Sequence, residues 1–514
     1  AFDERQRVIA GLREGRFRLL YVAPERLVGE GSESFAALVG QRPLSFVAVD
    51  EAHCISQWGH DFRPEYRQLA RLRDRWPSLS LHAFTATATE RVRKDIRSQL
   101  TLRQPVELVG SFDRPNLLYR VVARNNLKKQ IQDVLARHRG EAGIVYCQSR
   151  REVESLAEWL VEIGIRARPY HAGLNDDDRH RNQDAFLNEE VDVVVATVAF
   201  GMGIDRSDVR FVVHAGAPQS LEHYQQESGR AGRDGLEAEC VLVYSGGDFL
   251  RWRLMFEQNG EMSEARRLLL RDMQAYAASV GCRHKRLVGY FGERYVRDDC
   301  GACDFCLGEL EAVPDAVTLA RKILSAVARV GQRFGVAHVT NVLRGNETEL
   351  VTQRGHSQLS VFGLLAGMTV DEIRGYIEQL VAFGLVRQTD DAYPVLQLMP
   401  AGVALMRDAA AMPDLALARQ RKPAKDRSPK RSKTDVASWD GVDRDLFERL
   451  RGLRLQLARD RGVPPYVIFH DSTLRELARV KPTTMAALRP VYGMGERKVE
   501  ALGEAVLETI RASL

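Results

Sequence analysis

Short runs of apolar and β-branched residues alternate with amphipathic stretches over the first half of the chain, from residue 1 to about residue 247. Such runs are typical of buried parallel strands, and stretches with helical periodicity such as Glu152 to Ile163 are typical of the helices between them. The pattern predicts α/β architecture, with two doubly wound parallel-sheet lobes. The predicted strands are Leu19 to Ala23, Phe46 to Asp50, Leu81 to Thr85, Gly143 to Cys147, Val191 to Ala196 and Phe211 to His214.

The second half of the chain is mainly helical in its periodicity. Residues 372–384, followed by short apolar runs at 385–388 and 395–398, predict a helix and then a hairpin, which is the order of a winged helix. Residues 413–435 are rich in Lys, Arg, Pro and Ser, which indicates a flexible basic linker. We therefore divide the chain into lobes at 1–110 and 111–248, a helical domain at 249–313, a winged helix at 314–412, a linker at 413–436 and a small all-α domain at 437–514.

Composition and charge narrow this picture only slightly. Hydrophobic residues make up 45% of the 514 positions, which excludes a disordered chain. The net charge of +5 agrees with a polyanionic partner but does not require one. No stretch reaches the roughly 18 apolar residues of a membrane span. Since the chain also shows no secretory signal, we expect a soluble cytoplasmic protein without a membrane partner.

Four of the seven cysteines lie close together in the sequence, as Cys300-x-x-Cys303-x-x-Cys306 preceded by Cys282. An odd number of cysteines in a reducing compartment points to metal binding rather than to disulfides. Four thiolates can surround one Zn²⁺ tetrahedrally and leave no open position, so the spacing predicts a structural zinc site. An iron–sulfur cluster uses the same ligands and remains an alternative, as do four unligated thiols.

Two carboxylates, Asp50 and Glu51, directly follow one of the predicted strands. Phosphoryl transfer needs one carboxylate for the Mg²⁺ shell and another to orient or deprotonate the attacking water. Thr85 and Thr87 follow the next predicted strand and supply hydroxyl groups that can link the acidic pair to movement. Taken alone, the acidic pair could equally be a polar strand end.

Two arginines, Arg230 and Arg233, stand three positions apart in a glycine-framed motif, and we place them on one helix face. An arginine that contacts a γ-phosphate neutralises the charge of the transition state. A solvated helix face is the alternative interpretation, and the flanking glycines count against it. These features together predict a nucleotide hydrolase.

The motifs resemble those of the RecQ family of DExH-box DNA helicases in superfamily 2. The resemblance is carried by Asp50 to Pro64, Ser111 to Asn116, Ala196 to Asp205 and Gln226 to Gly235, and it covers essentially the whole chain. It implies RecA-like lobes, a zinc-binding domain, a winged helix and a helicase-and-RNase-D C-terminal (HRDC) domain. It also implies ATP- and Mg²⁺-dependent 3′-to-5′ unwinding of single-stranded and forked duplex DNA in recombination, repair and the SOS response. A single-strand DNA-binding protein is a candidate partner, and the bacterial nucleoid is the implied location.

The resemblance also assigns roles to individual residues. Some of these roles are contacts with DNA, for which aromatic and arginine side chains are suited. Aromatic faces stack on bases at about 1 to 3 kcal/mol each, and guanidinium groups pair with phosphates. The assigned catalytic residues are Asp50, Glu51, His53, Arg230 and the arginine finger Arg233. The residues assigned to ATP coupling are Gln57, Thr85, Thr87 and Asp205. The residues assigned to DNA binding are Trp58, Phe62, Arg63, Thr197, Arg344 and Tyr466, although the domain that carries Tyr466 could also be purely structural.

One departure from the family concerns the glycine-rich loop ending in Gly-Lys-Ser or Gly-Lys-Thr, whose backbone N–H groups cradle phosphates. The sequence does not contain it, and Leu19 to Arg26 matches a segment that the family has well inside its first lobe. We therefore expect a truncated first lobe, and a chain that binds DNA but by itself hydrolyses no ATP. A DNA-binding scaffold with an inactive motor is the competing hypothesis, and an RNA helicase is a further one.

Overall fold

The structure is a computed structural model that describes residues 2–29, 31–41, 43–59, 61–198, 200, 205–389, 394–413, 415–421 and 439–513. The chain divides into two compact units. The first unit comprises residues 1–112, 263–269 and 287–294, and the second comprises residues 113–262, 270–286 and 295–514. The tip of the predicted wing, motif residues 201–204 and most of the predicted linker lie outside the described residues.

A two-stranded parallel sheet forms the centre of the first unit. Strand β1, Phe46–Val49, pairs with β2, Ser80–Ala83, and both predicted strands are confirmed. The strand predicted at Leu19 to Ala23 was wrong, because this segment pairs with no strand among the described residues. A strand needs such a neighbour to complete its backbone hydrogen bonds. The Leu19 and Tyr21 side chains of this segment are 61% and 88% exposed. The helices are Phe2–Glu14, Pro24–Val28, Glu33–Val39, Pro64–Gln68, Leu72–Arg75 and Glu90–Gln99, with 3₁₀ turns at Ala52–Ile55 and Leu69–Arg71.

A six-stranded, all-parallel sheet forms the centre of the second unit. Its strands are β3 (Leu117–Ala123), β4 (Ala142–Tyr146), β5 (Ala167–Tyr170), β6 (Val193–Ala196), β7 (Val209–His214) and β8 (Ala238–Tyr244), in the order β3-β8-β7-β4-β6-β5. Helices Leu127–Arg137, Arg150–Glu162, Asp176–Leu187, Leu221–Ser228 and Gly246–Gln258 accompany it. The α/β prediction is thereby confirmed, and we call this part the sheet domain.

Three strands of the sheet domain, β3, β5 and β8, were not predicted because charged residues or proline interrupt their apolar pattern. Arg120 in β3 and Glu239 in β8 are buried, and their side chains form an ion pair of 2.5 Å. Pro169 lies in β5, the edge strand, where a missing N–H costs no central hydrogen bond. Partners supplied by the fold therefore satisfy residues that the sequence pattern counts against a strand.

Helices Glu264–Ala278 and Arg283–Tyr290 lead to the cysteine cluster, and the predicted winged helix follows. Its helices are Ala316–Arg329, Val336–Arg344, Glu349–Gln353, Val370–Ala382 and Pro400–Arg407, with 3₁₀ turns at His356–Gln358 and Ala409–Ala411. Strands β10 (Val386–Gln388) and β11 (Leu396–Leu398) form the predicted hairpin.

The predicted linker starts later than residue 413. Residues Ala418–Gln420 form strand β12, which pairs with β9, Leu310–Ala312. Leu417 is fully buried in the core of the winged helix. The short apolar stretch at 415–418 therefore belongs to a folded domain, although the basic residues that follow it dominate its local composition.

A separate helical bundle, called here the C-terminal domain, covers residues 439–513 of the second unit. Its helices are Arg444–Arg461, Pro465–Ile468, Asp471–Val480, Met485–Leu488 and Glu496–Arg511, which confirms the all-α prediction. They enclose an apolar core that includes Leu450, Leu474 and Val506. Among the residues described, no helix has both the length and the apolar character that a bilayer span would need.

Candidate active site and metal centre

The two carboxylates that follow β1 sit in a tight turn at the edge of the first unit's sheet. The Phe84 N–H donates to Val49 O at 2.8 Å and the Ala52 N–H donates to Phe84 O at 2.9 Å, which holds the ends of β1 and β2 together. Glu51 lies in the left-handed region at φ 47°, and its N–H donates to Asp50 Oδ1 at 2.8 Å. The turn therefore presents both carboxylates at the sheet edge, with Asp50 exposed.

The buried imidazole of His53 connects this turn to the threonines after β2. Its Nδ1 lies 3.2 Å from Glu51 Oε2 and 3.0 Å from Thr85 Oγ1. The Thr85 hydroxyl is in turn 3.3 Å from the backbone nitrogen of Thr87. The structure thus brings together Glu51, His53, Thr85 and Thr87, which the sequence analysis selected from two separate motifs. The imidazole of His53 thus lies between the threonine segment and the carboxylate of Glu51.

The aromatic loop that follows the 3₁₀ turn packs against the same region. A Cβ on Gly59 would lie 2.5 Å from His53 O, so the loop passes directly over the backbone of His53. Arginine side chains cover the aromatic faces. The guanidinium of Arg91 lies 3.1 Å from the ring centre of Trp58, and that of Arg67 lies 4.9 Å from the ring centre of Phe62. A base can stack on these covered faces only after the arginines move aside.

Arg63 and Gln57 occupy different environments in this loop. Arg63 donates to Asp61 Oδ2 from Nε at 3.1 Å and from its terminal nitrogen at 2.8 Å, whereas Gln57 is exposed.

Burial, aided by the neighbouring Asp61 carboxylate, raises the pKa of Cys54 to about 12. The Cys54 thiol therefore stays protonated and does not act as a nucleophile.

The two motif arginines follow a helix rather than lie on its face, so that prediction was wrong. The helix Leu221–Ser228 ends at Gly229, and Gly232 at φ 57° turns the chain away. Arg230 is buried, at 7% exposure. The Arg233 side chain is 36% exposed, and its terminal nitrogen lies 2.6 Å from Asp205 Oδ1. Of the two arginines, Arg233 is therefore the more accessible.

Two residues just before β3 hold this arginine loop in place. Arg114 donates to the carbonyl oxygens of Gly229, Ala231 and Gly232 at 3.3, 3.1 and 3.0 Å. The side-chain amide of Asn116 donates to Gly232 O at 2.9 Å and to Leu236 O at 2.8 Å. No role for either residue was predicted from the sequence. The sequence information that could have indicated a role is the motif Ser111 to Asn116, which resembles the family but contains no group with catalytic chemistry of its own.

A cavity of about 420 Å³ opens at the carboxyl end of the sheet in the sheet domain. This is the edge at which open α/β sheets bind ligands. Thr197 follows β6 here, and the helix Arg150–Glu162 begins here with a capping box formed by Ser149 and Glu152. The lining residues are Tyr146, Cys147, Gln148, Ser149, Arg150, Ala172, Thr197, Val198, His214, Gly216, Ala217, Pro218, Gln219, Glu227 and Trp252.

The predicted zinc ligands form a compact cluster. The four Sγ atoms of Cys282, Cys300, Cys303 and Cys306 lie within 4.8 Å of one another. Backbone N–H groups point at three of the sulfurs at 3.4 to 3.5 Å. A tetrahedral site with Zn–S bonds of about 2.3 Å places its sulfurs about 3.8 Å apart, so these side chains fit Zn²⁺ with no further position open.

Buried polar contacts tie the cysteine cluster to the sheet domain. The guanidinium of Arg283 donates to both carboxylate oxygens of Asp304, at 2.8 and 3.0 Å, and the Val121 N–H donates to the same carboxylate at 3.0 Å. The Tyr119 N–H donates to Ala302 O at 3.1 Å. Loss of the cluster's geometry would therefore disturb β3 directly.

The last two predicted DNA-contacting residues lie in separate domains. Arg344 ends its helix and donates to Met368 O at 3.0 Å. Tyr466 lies in the C-terminal domain, where burial, with the Asp205 carboxylate nearby, raises its pKa. Arg344 is thus engaged within the winged helix, and Tyr466 is half-buried.

Comparison with protein families finds five matches, in chain order. Residues 2–96 match the DEAD/DEAH box helicase family and residues 126–235 match the helicase conserved C-terminal domain. Residues 246–307 match the RecQ zinc-binding family. Residues 311–424 match the RQC domain and residues 443–510 match the HRDC domain.

Comparison with characterised proteins finds relatives along nearly the whole chain. A Pasteurella multocida protein named ATP-dependent DNA helicase RecQ is 40% identical over 99% of this chain and 79% of its own length. Proteins of the same name are 38% identical in Haemophilus influenzae, over 99% of this chain and 81% of the relative, and 39% identical in Bacillus subtilis, over 98% and 82%.

Proposed function

We propose that the intact protein, whose chain belongs to the RecQ family of helicases, uses ATP hydrolysis to unwind DNA in the 3′-to-5′ direction. One observation carries the proposal: His53 contacts both the Glu51 carboxylate and the Thr85 hydroxyl. A hydrolytic carboxylate connected in this way can respond to events elsewhere in the protein. An enzyme that couples hydrolysis to movement needs such a connection.

In this proposal, Asp50 holds the shell of a nucleotide-bound Mg²⁺, and Glu51 orients and deprotonates the attacking water. The bound metal neutralises phosphate charge. His53 passes the state of Thr85 and Thr87 to Glu51, and the loop with Gln57, Trp58, Phe62 and Arg63 reports whether DNA is present. This loop is suited to that task because it packs on the backbone of His53.

Arg233 is proposed as the arginine finger, since it is the more exposed arginine of its motif and its side chain pairs with the exposed Asp205. Arg230, buried beside Tyr146, would position the loop from inside the sheet domain. Asp205 would hold Arg233 until nucleotide binds.

DNA is proposed to pass the carboxyl edge of the sheet in the sheet domain. Thr197 and the amino-terminal end of the helix Arg150–Glu162 offer a hydroxyl and backbone N–H groups to phosphates at this edge. Arg344 and Tyr466 would add contacts to duplex and single-stranded regions. Single-stranded and forked duplex DNA are thus the proposed substrates, and a single-strand DNA-binding protein is a proposed partner.

Glu51→Gln in the intact protein tests this assignment. The variant should bind nucleotide with unchanged affinity but lose DNA-stimulated ATP hydrolysis and separation of a forked duplex, because an amide cannot accept the proton of the attacking water. Glu90→Gln provides a matched control, since Glu90 is exposed and pairs with Lys94 at the protein surface. Loss of nucleotide affinity in Glu51→Gln would show that Glu51 has a structural role, and retained hydrolysis would refute its catalytic role.

A further inference from the structure

The C-terminal domain docks on the sheet domain through a buried group of ion pairs. Glu189, in the left-handed region at φ 59°, accepts from Arg454 at 2.8 Å and lies 3.4 Å from Nε of Arg451. Arg454 is 1% exposed and also donates to Asp471 at 2.7 Å. Beside this group, Ser207 Oγ lies 3.0 Å from Nδ1 of His470. A single carboxylate of the sheet domain thus receives two guanidinium groups of the C-terminal domain.

This interface is polar and incompletely packed. Among the described residues, every member of the C-terminal domain's apolar core lies between residues 439 and 510, so the core does not extend into the sheet domain. A cavity of about 370 Å³ remains between the two surfaces. The sheet domain contributes Glu141 and Asp208 to its walls, and the C-terminal domain contributes Arg444 and Arg475. The domain therefore has a core of its own and does not depend on this contact for its apolar packing.

Docking also brings like charges together. The Arg475 guanidinium lies 3.9 Å from the ring centre of Trp439, and burial, together with the nearby Arg210 guanidinium, lowers the pKa of Arg475 to about 10. Arg210 itself pairs with Asp234 at 2.5 Å inside the sheet domain. The docked arrangement thus places the guanidinium groups of Arg475 and Arg210 near each other, beside the carboxylates of Glu141, Asp234 and Asp471.

The docked face carries the groups that a polyanion would bind. Guanidinium forks bind carboxylates and phosphates in the same geometry, so Glu189 occupies a place that a phosphate group could take. Tyr466, the aromatic residue proposed above to stack on a base, lies close in sequence to His470, which contacts Ser207 of the sheet domain. Burial, with the Asp205 carboxylate nearby, raises the pKa of Tyr466. Docking therefore covers the arginines of this face and lies close to its aromatic residue.

We propose that the sheet domain and single-stranded DNA compete for this arginine-bearing face, so that DNA binds it only when the C-terminal domain leaves Glu189. The inference rests on the proposed function only in taking DNA as the polyanion. Since Asp205 also pairs with Arg233, the docked domain lies beside the loop of the proposed arginine finger. When DNA releases the C-terminal domain, the surroundings of the loop that carries Arg233 would therefore change.

A cross-linking experiment on the whole chain measures docking itself. Ser207→Cys combined with His470→Cys places two thiols at a contact that exists only in the docked state, and a short bis-maleimide joins them. Single-cysteine variants control for reaction at the native cysteines. The yield should fall when an oligo-dT single strand is added, and it should fall without DNA when Glu189→Gln is introduced. An undiminished yield with oligo-dT would overturn the competition, and an undiminished yield in Glu189→Gln would overturn the ion-pair contact.

Fluorescence anisotropy with the same oligo-dT measures the consequence. Glu189→Gln should bind about five-fold more tightly than the unaltered chain, the change expected when one competing charge-assisted contact of about 1 kcal/mol is lost. Glu190→Gln is the matched control, because Glu190 is adjacent and exposed and loses the same charge. Equal affinities for all three chains, or equal tightening in both variants, would contradict the proposal. Neither measurement uses ATP, so a failure of the helicase proposal would be seen separately.

Discussion

Gly232→Ala should destabilise the arginine loop and the sheet beneath it. At φ 57°, an alanine costs roughly 1 to 2 kcal/mol because its Cβ crowds the backbone. The added Cβ would also lie 2.5 Å from Nδ2 of Asn116 and 2.6 Å from Leu236 O. Displacing Asn116 breaks two hydrogen bonds of about 0.5 to 1.5 kcal/mol each. The total of about 2 to 5 kcal/mol should accelerate hydrogen exchange of the β8 amides by about 30-fold or more.

Gly235→Ala separates the two contributions to this destabilisation. Gly235 lies in the same loop at φ 80°, but no heavy atom lies within 4 Å of the position its Cβ would take. This variant should show only the backbone cost of about 1 to 2 kcal/mol. If both variants accelerate exchange of β8 equally, the contact with Asn116 does not brace the loop and the reasoning is wrong.

Two further predictions concern the zinc cluster and pH. Cys303→Ser should lower the zinc content below one ion per chain. It should also make the cysteine region and β3 sensitive to protease, because a structural zinc site supplies folding energy directly. Full zinc content together with an unchanged digest would exclude this ligand set. Burial alone would lower the pKa of His138, but hydrogen bonds to Glu141 and Glu239 raise it to about 9. Protonated His138 therefore stabilises the folded state fully below the unfolded pKa of about 6.5, and this stabilisation is lost as pH rises through about 9. The free energy of unfolding should fall by an amount on the order of 3 kcal/mol over this range. Hydrogen exchange of the sheet domain against pH measures this, and a slope that persists in His138→Gln would assign the effect to another group.

Local sequence patterns were sufficient for the parts of this protein whose chemistry lies in one segment. The strand around Val195 is buried on both faces, so its apolar run is nearly continuous. The cysteine spacing predicted a cluster that the structure brings within metal-binding distance. The Asp50–Glu51 pair and the Thr85–Thr87 pair each follow a strand, and parallel strands bring such residues to one edge. Each of these predictions depends on neighbours in sequence or on a rule of sheet geometry.

Tertiary structure alone decided the features that depend on partners far along the chain. The strands with Arg120 and Glu239 form because each supplies the buried charge that the other needs, over a sequence separation of 119 residues. The arginine loop leaves the helix because distant Arg114 and Asn116 bind its carbonyl groups. The sequence around Glu189 does not indicate that its carboxylate will pair with Arg451 and Arg454 of the C-terminal domain. A local pattern records the preference of a segment, whereas burying a charge is favourable only beside a partner that the whole fold brings to it.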